Sequence, residues 1–186
     1  MHTRVLVLLA ALSLGGCSSA TGARPPHTDL PANDARRIAV MAVVDSVLMH
    51  INSGDMIAMS DLFVPEAALF PAQARAGLGG TYTTRTVASN RAAGKRAPII
   101  ERGYAPTVRV AGTIASVWLP YDLWTQGKWS HCGVDLLTLV QVGAAWRIVN
   151  FTYTIEQPPA CTMHPDGPPP GYAPPPSSSR RSRKVS

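Results

Sequence analysis

The sequence has no apolar run long enough to cross a bilayer. The stretch "VLVLLAALSL" (5–14) holds ten residues, against the roughly 20 that a spanning helix needs. No phosphate-cradling glycine loop, no paired-glycine dinucleotide turn and no zinc-protease helix motif occurs, so no cofactor or metal is implied by motif. With three cysteines in 186 residues the chain is not a disulfide-rich scaffold. No internal repeat occurs, which excludes a solenoid. A strong charge excess is also missing from the body of the chain. The formal net charge is +6, but residues 33–156 carry eleven Lys+Arg against nine Asp+Glu, and "RRSRK" (180–184) adds four positive charges at the end. A nearly neutral body does not point to nucleic acid.

What is present begins with an address. His2 and Arg4 precede the apolar run, and "LGGCSS" follows it. This is the layout of a secretory signal over 1–16. The segment resembles the lipobox of bacterial lipoproteins, which implies cleavage before Cys17 and lipidation there. The resulting expectation is a lipid-anchored protein of the bacterial envelope, held at the membrane without a transmembrane helix. By the same resemblance, Ser18 after the cysteine implies the outer membrane, facing the periplasm. In that oxidising space Cys132 and Cys161 form an even pair, so a disulfide closing about 29 residues is expected.

Composition divides the rest. Residues 17–32 are small, polar and proline-containing and read as a tether. Residues 162–186 read as a disordered, Pro-rich basic tail, because 158–176 hold nine of the 17 prolines. One domain is left, over 33–161. Its first segment is a helix: Asn33 or Asp34 caps it, Gly54 ends it, and Ile38, Met41, Val44, Leu48 and Ile51 follow helical spacing. Asp55 caps a second, short helix, and "EAALF" (66–70) reads as a short strand. Arg85, Arg91, Lys95 and Arg96 form a solvated cationic face. From Ile99 onward four β-rich runs are separated by "AG", "QG" and "GA", the mark of an antiparallel meander. Helices followed by strands give an α+β domain.

The segments "SGDMIAMSDLF", "VWLPY", "HCGVD" and "AWRIVNFTYT" resemble the nuclear-transport-factor-2-like superfamily, in particular the group labelled SnoaL-like or lumazine-binding-like. The resemblance covers about 33–157. It implies a cone: N-terminal helices packed on a strongly bent antiparallel sheet that encloses a pocket, with homodimerisation through the outer sheet face. It implies no single chemistry, because isomerases, cyclases, dehydratases and non-enzymatic binders share this architecture. The catalytic sets of the enzymes find no matching positions here.

Strand alternation assigns faces if the hairpins have even turns. One face then carries Val108, Val110, Val117, Leu119, Tyr121, Val134, Leu136, Val140, Trp146 and Ile148, together with Thr138, Asn150, Thr152 and Thr154. The other carries Trp118, Leu137, Leu139, Val149 and Phe151, rimmed by Glu101, Arg109, Asp122, His131, Asp135, Arg147 and Tyr153. Charged groups are rarely buried, so the first face is expected inside. That places a ligand pocket at Tyr104, Tyr121, Thr138, Asn150, Thr152 and Thr154 and pairs His131 with Asp122 across a hairpin. The reading is a non-catalytic pocket for a small, largely apolar molecule. The alternatives are an isomerase-, cyclase- or dehydratase-type enzyme using His131 with Asp122 or Asp135, or a dimeric scaffold with a vestigial pocket. The enzyme reading requires the faces to be inverted; Asp45 and Asp61 are further acid–base candidates on the helices.

Overall fold

The computed structural model describes residues 29–75 and 79–173. The expected signal segment, Cys17, most of the tether and the basic end of the tail lie outside the described residues. Helix α1 (Ala35–Ser53) starts at Asp34, whose carboxylate accepts the Arg36 backbone N–H at 2.8 Å. It stops at Gly54, which takes the left-handed conformation (φ 71°) that favours glycine. Val40, Val44 and Val47 are its buried line, so the apolar stripe is turned away from Ile38, which is 57% exposed. Asp55 caps α2 (Met56–Ser60) by accepting from the Ala58 N–H. Among the described residues no helix is long and apolar enough to cross a membrane.

The strands are β1 (Phe63–Arg75), β2 (Gly79–Tyr82), β3 (Arg85–Thr86), β4 (Ile100–Gly103), β5 (Thr107–Ala111), β6 (Ile114–Thr125), β7 (Lys128–Val142) and β8 (Ala145–Ile155); helix α3 (Val87–Ala92) follows β3. They form one sheet in the order β2-β1-β8-β7-β6-β4, with β3 paired to β1 and β5 to β6. The helices pack against this large sheet, an α+β arrangement. The sheet is mixed, not purely antiparallel, because β1 runs parallel to β8. "EAALF" is thus the middle of a 13-residue strand. The core gathers Val40, Val44 and Val47 from α1 and Met56 and Met59 from α2 against Val117, Leu119, Leu137, Leu139, Ile148 and Phe151 of the sheet.

Two β-bulges change the expected faces. The β6–β7 hairpin begins in even register, Thr125 opposite Lys128 and Trp124 opposite Trp129, but then pairs Leu123 with His131. Ser130 is the extra residue, so Asp122 faces Cys132, not His131. A one-residue slip moves every following side chain to the other face. Asp135, Leu137 and Leu139 are therefore buried under the helices, and the adjacent positions Val134, Leu136, Thr138 and Val140 are only half-buried on the outer side. In the last hairpin Val142 pairs with Ala145, one residue off the expected Trp146. A second bulge, at Val149, restores the expected pairs Thr138–Asn150 and Leu137–Phe151. Ile148 and Phe151 are consequently both buried.

The domain extends past both expected boundaries. Asp29 accepts the Val108 N–H at 2.6 Å and pairs with Arg37, and the Leu30 N–H bonds the Val108 carbonyl. At the other end, residues expected in the disordered tail lie on the outer face of the sheet. Cys132 and Cys161 form the expected disulfide (Cα–Cα 5.7 Å), although Cys132 points outward, not inward. The Tyr104 hydroxyl donates to the Thr162 carbonyl, the His164 ring meets Tyr104 edge-on, and the Tyr172 ring meets Trp124 edge-on at 5.6 Å. Asp122, fully buried, accepts from Arg102, from the Trp124 indole and from the His164 backbone N–H. We refer to residues 157–172 as the strap. Replacing Cys132 and Cys161 by serine is expected to lower stability by about 3–4 kcal/mol, the chain-entropy value for a loop of this length. Urea denaturation checks the loss, and limited proteolysis should show earlier cleavage within the strap.

Candidate functional site

A cavity of about 290 Å³ opens between α1, α2, β1 and the inner face of β4, β6, β7 and β8. Its volume equals roughly ten waters at about 30 Å³ each and lies near the lower end of the usual range for small-molecule sites, about 300–1,000 Å³. Ile51, Met56, Met59, Leu69, Phe151 and Ile155 belong to its apolar wall. The polar groups that reach it are Glu101, Asp135, His131, Tyr121, Tyr153 and Asn90, with Arg85 and Arg96.

The chemistry is concentrated at Glu101 and Asp135, which are 8% and 2% exposed. Both were expected on an outer rim, and both face inward. Glu101 is held by α1. The Asn52 amide donates to the Glu101 carbonyl at 2.9 Å and its oxygen accepts the Glu101 N–H at 2.6 Å. Asn52 thereby occupies the free backbone edge of β4 as a neighbouring strand would, and fixes the residue whose side chain enters the cavity. Asp135 is carried inward by the Ser130 bulge. Each carboxyl bears on the titration of the other. Glu101 Oε1 and Asp135 Oδ2 are buried and have no hydrogen-bond partner among the described residues. Two ionised carboxylates without donors in one apolar interior repel each other, so burial favours a proton held by the pair. Burial, opposed by the neighbouring Asp135 carboxyl, pushes Glu101 up to about 7. Burial and then the Glu101 charge raise Asp135 well above the ordinary aspartate range. The two titrate as one unit that retains a proton near neutrality.

The histidine and the two tyrosines beside the pair are shifted toward their uncharged forms. Burial lowers His131, whose Nδ1 lies 2.9 Å from the Ser130 hydroxyl and whose ring meets Tyr121 edge-on. Burial raises the hydroxyls of Tyr121 and Tyr153. Tyr121 donates to the Thr154 carbonyl at 2.7 Å, so its proton is committed to the sheet and not to the cavity. The ladder is open there because the Val134 N–H bonds the Thr154 hydroxyl. A β-carbon on Gly133 would lie 2.3 Å from the Thr154 carbonyl oxygen, so only glycine permits this close approach.

Of the pocket residues expected from alternation, Tyr121 lines the cavity; Tyr104, Thr138, Asn150, Thr152 and Thr154 do not. Thr152 instead bonds the Asn150 side chain, and Tyr104 holds the strap. Of the expected acid–base set, His131 and Asp135 reach the cavity, and Asp122 is consumed by Arg102 and the strap. Asp45 and Asp61 are exposed, and Asp61 pairs with Arg91. Glu101 is the cavity carboxyl that alternation placed outside, and Asn52 of α1 holds its backbone. Among the described residues no group of three His, Cys, Asp or Glu side chains is placed to hold a metal.

No family model and no curated protein matches the sequence. Solved structures match by shape. A protein of unknown function with a cystatin-like fold from Nostoc punctiforme is 11% identical, with a TM-score of 0.53 over 70% of this chain and 98% of that one. A nuclear-transport-factor-2-like protein of unknown function from Pseudomonas putida is 10% identical, with a TM-score of 0.53 over 73% and 97%. Another such protein, from Methylobacillus flagellatus, is 17% identical, with a TM-score of 0.50 over 69% and 98%. The chain has the nuclear-transport-factor-2-like fold, as its motifs led us to expect.

Proposed function

We propose that this protein is an envelope lipoprotein that takes up a small, largely apolar molecule and performs acid–base chemistry on it, of the isomerase or dehydratase type, with the Glu101–Asp135 pair. The supporting observation is the buried carboxyl pair facing an otherwise mostly apolar cavity. A carboxyl whose proton affinity is tuned toward neutrality by burial is suited to giving and taking a proton within one turnover. The preference for a non-catalytic pocket rested on an interior without carboxylates, and that premise fails. The binding-only reading keeps one argument: the Tyr121 hydroxyl is turned away from the cavity, which leaves fewer donors for a developing oxyanion. Lipidation at Cys17 is supported by "LGGCSS" and by the disulfide, which belongs to an oxidising compartment. A homodimer contact is assigned to the outer sheet face, where Trp118 and Ile114 are more than half exposed.

Two measurements test the acid–base reading. Native mass spectrometry of the protein from its own envelope should show a co-purifying small molecule. Six- to ten-carbon cyclic ketones in deuterium oxide should exchange their α-protons faster with the protein than without it. Asp135→Asn should reduce that acceleration about 10²- to 10⁴-fold, the usual worth of a positioned acid–base group. An empty cavity together with exchange at the background rate contradicts the proposal.

A further inference from the structure

We infer that the ligand is an amphipathic carboxylic acid: its apolar body fills the cavity, and its carboxylate rests between Arg85 and Arg96 at the rim. This builds on the pocket reading above and adds the chemical class of the ligand.

The four cations between residues 85 and 96 have two different fates. Arg91 pairs with Asp61, and Lys95 approaches Asp55 at 3.8 Å. Arg85 and Arg96 line the cavity and, among the described residues, form no ion pair. Their backbones are nonetheless fixed. Arg85 pairs with Leu69 in the β1–β3 ladder, and Leu69 is itself a wall residue. The Arg96 N–H bonds the Gly54 carbonyl at 2.8 Å. A β-carbon on Gly54 would lie 2.1 Å from the Arg96 carbonyl oxygen, so the glycine that ends α1 also lets the Arg96 segment close against it.

The arginines do not neutralise the acid pair, which has no cation within ion-pairing distance among the described residues. Both sets of charges bear on Tyr153: its hydroxyl is raised first by burial, then lowered by Arg85 and Arg96 and raised by Glu101 and Asp135. The cavity is thus polarised, with a cationic rim, an apolar wall and an acidic floor. An anion at the floor would be repelled by the carboxyl pair and by the low dielectric. At the rim it meets two planar guanidinium groups that match a carboxylate bidentately. A ligand placed this way presents its uncharged end to Glu101 and Asp135.

The test uses the full chain in detergent, titrated calorimetrically with 4-phenylbutyrate and with its primary amide at pH 7.5. The acid should bind at least about tenfold more tightly than the amide, as expected for charge-assisted bonds, and added salt should narrow the gap. The double variant Arg85→Gln, Arg96→Gln should bring the two affinities together, and the control Arg91→Gln should keep them apart. Equal affinities in the wild type, or a preference that survives the double variant, overturn the rim assignment while leaving the pocket reading intact. No binding of either probe overturns both.

Discussion

Replacing Glu101 by glutamine should flatten the pH dependence of stability between pH 4.5 and about 7. Glu101 is raised from 4.5 to about 7, so the folded protein keeps a proton over that range that the unfolded chain releases. The unfolded state then binds fewer protons, and stability must fall as pH rises. The contribution is complete below pH 4.5 and gone once the pH has passed about 7. A displacement of that size corresponds to about 3 kcal/mol, since one pKa step is about 1.4 kcal/mol. In the variant position 101 no longer titrates, and the like charge that helped to raise Asp135 is gone. Urea midpoints measured from pH 4 to 8 should therefore separate, with the variant outlasting the wild type above pH 7 and the gap closing below pH 4.5. Parallel curves for the two proteins would mean that no proton is shared.

The second large effect is expected at Asp122. Arg102 donates to it through Nε at 2.9 Å and Nη2 at 2.5 Å, the Trp124 indole at 2.9 Å and the His164 N–H at 3.1 Å. Burial alone would raise this carboxyl, but Arg102, Trp124 and His164 together hold it below its ordinary value. Asp122→Ala leaves a partly buried guanidinium without its counter-ion and two N–H groups without an acceptor. Breaking one side of such a pair is worth about 3–5 kcal/mol. The strap should loosen with it, because His164 and Gly167 reach the sheet through Asp122 and Arg102. Trp124, now fully buried beneath Tyr172, should become more solvent-exposed, which a red shift of its fluorescence would report. Combining Asp122→Ala with loss of the disulfide should be less than additive, since both act on the same segment. A loss below about 1 kcal/mol with unchanged fluorescence would show that the strap does not depend on this residue.

Local chemistry made much of the fold legible. Asp34, Asp55 and Gly54 cap and end helices as their side chains and backbone freedom require. The β-rich runs became strands, and the two cysteines met. The site was harder to read because its faces depend on single-residue bulges. In β7, Val134, Leu136 and Val140 alternate with Leu137 and Leu139, so both faces are aliphatic and periodicity cannot choose between them. The deciding clue was then the charge of Glu101, His131 and Asp135, and the rule that charges stay outside fails where function buries them. The strap was missed for a related reason. Its proline content argues against a core of its own, but proline also reduces the entropy lost on ordering, and Trp124, Asp122 and Tyr104 supply the anchors. Those anchors come from strands distant in sequence, which composition does not reveal.

Carbon-13 NMR of the carboxyl carbons of Glu101 and Asp135, followed from pH 3 to 9, tests the shared proton most directly. The account predicts that the two signals move together, with a transition near pH 7 and none at the ordinary carboxylate range. Two independent transitions near pH 4 would contradict it, and the acid–base function would fall with it.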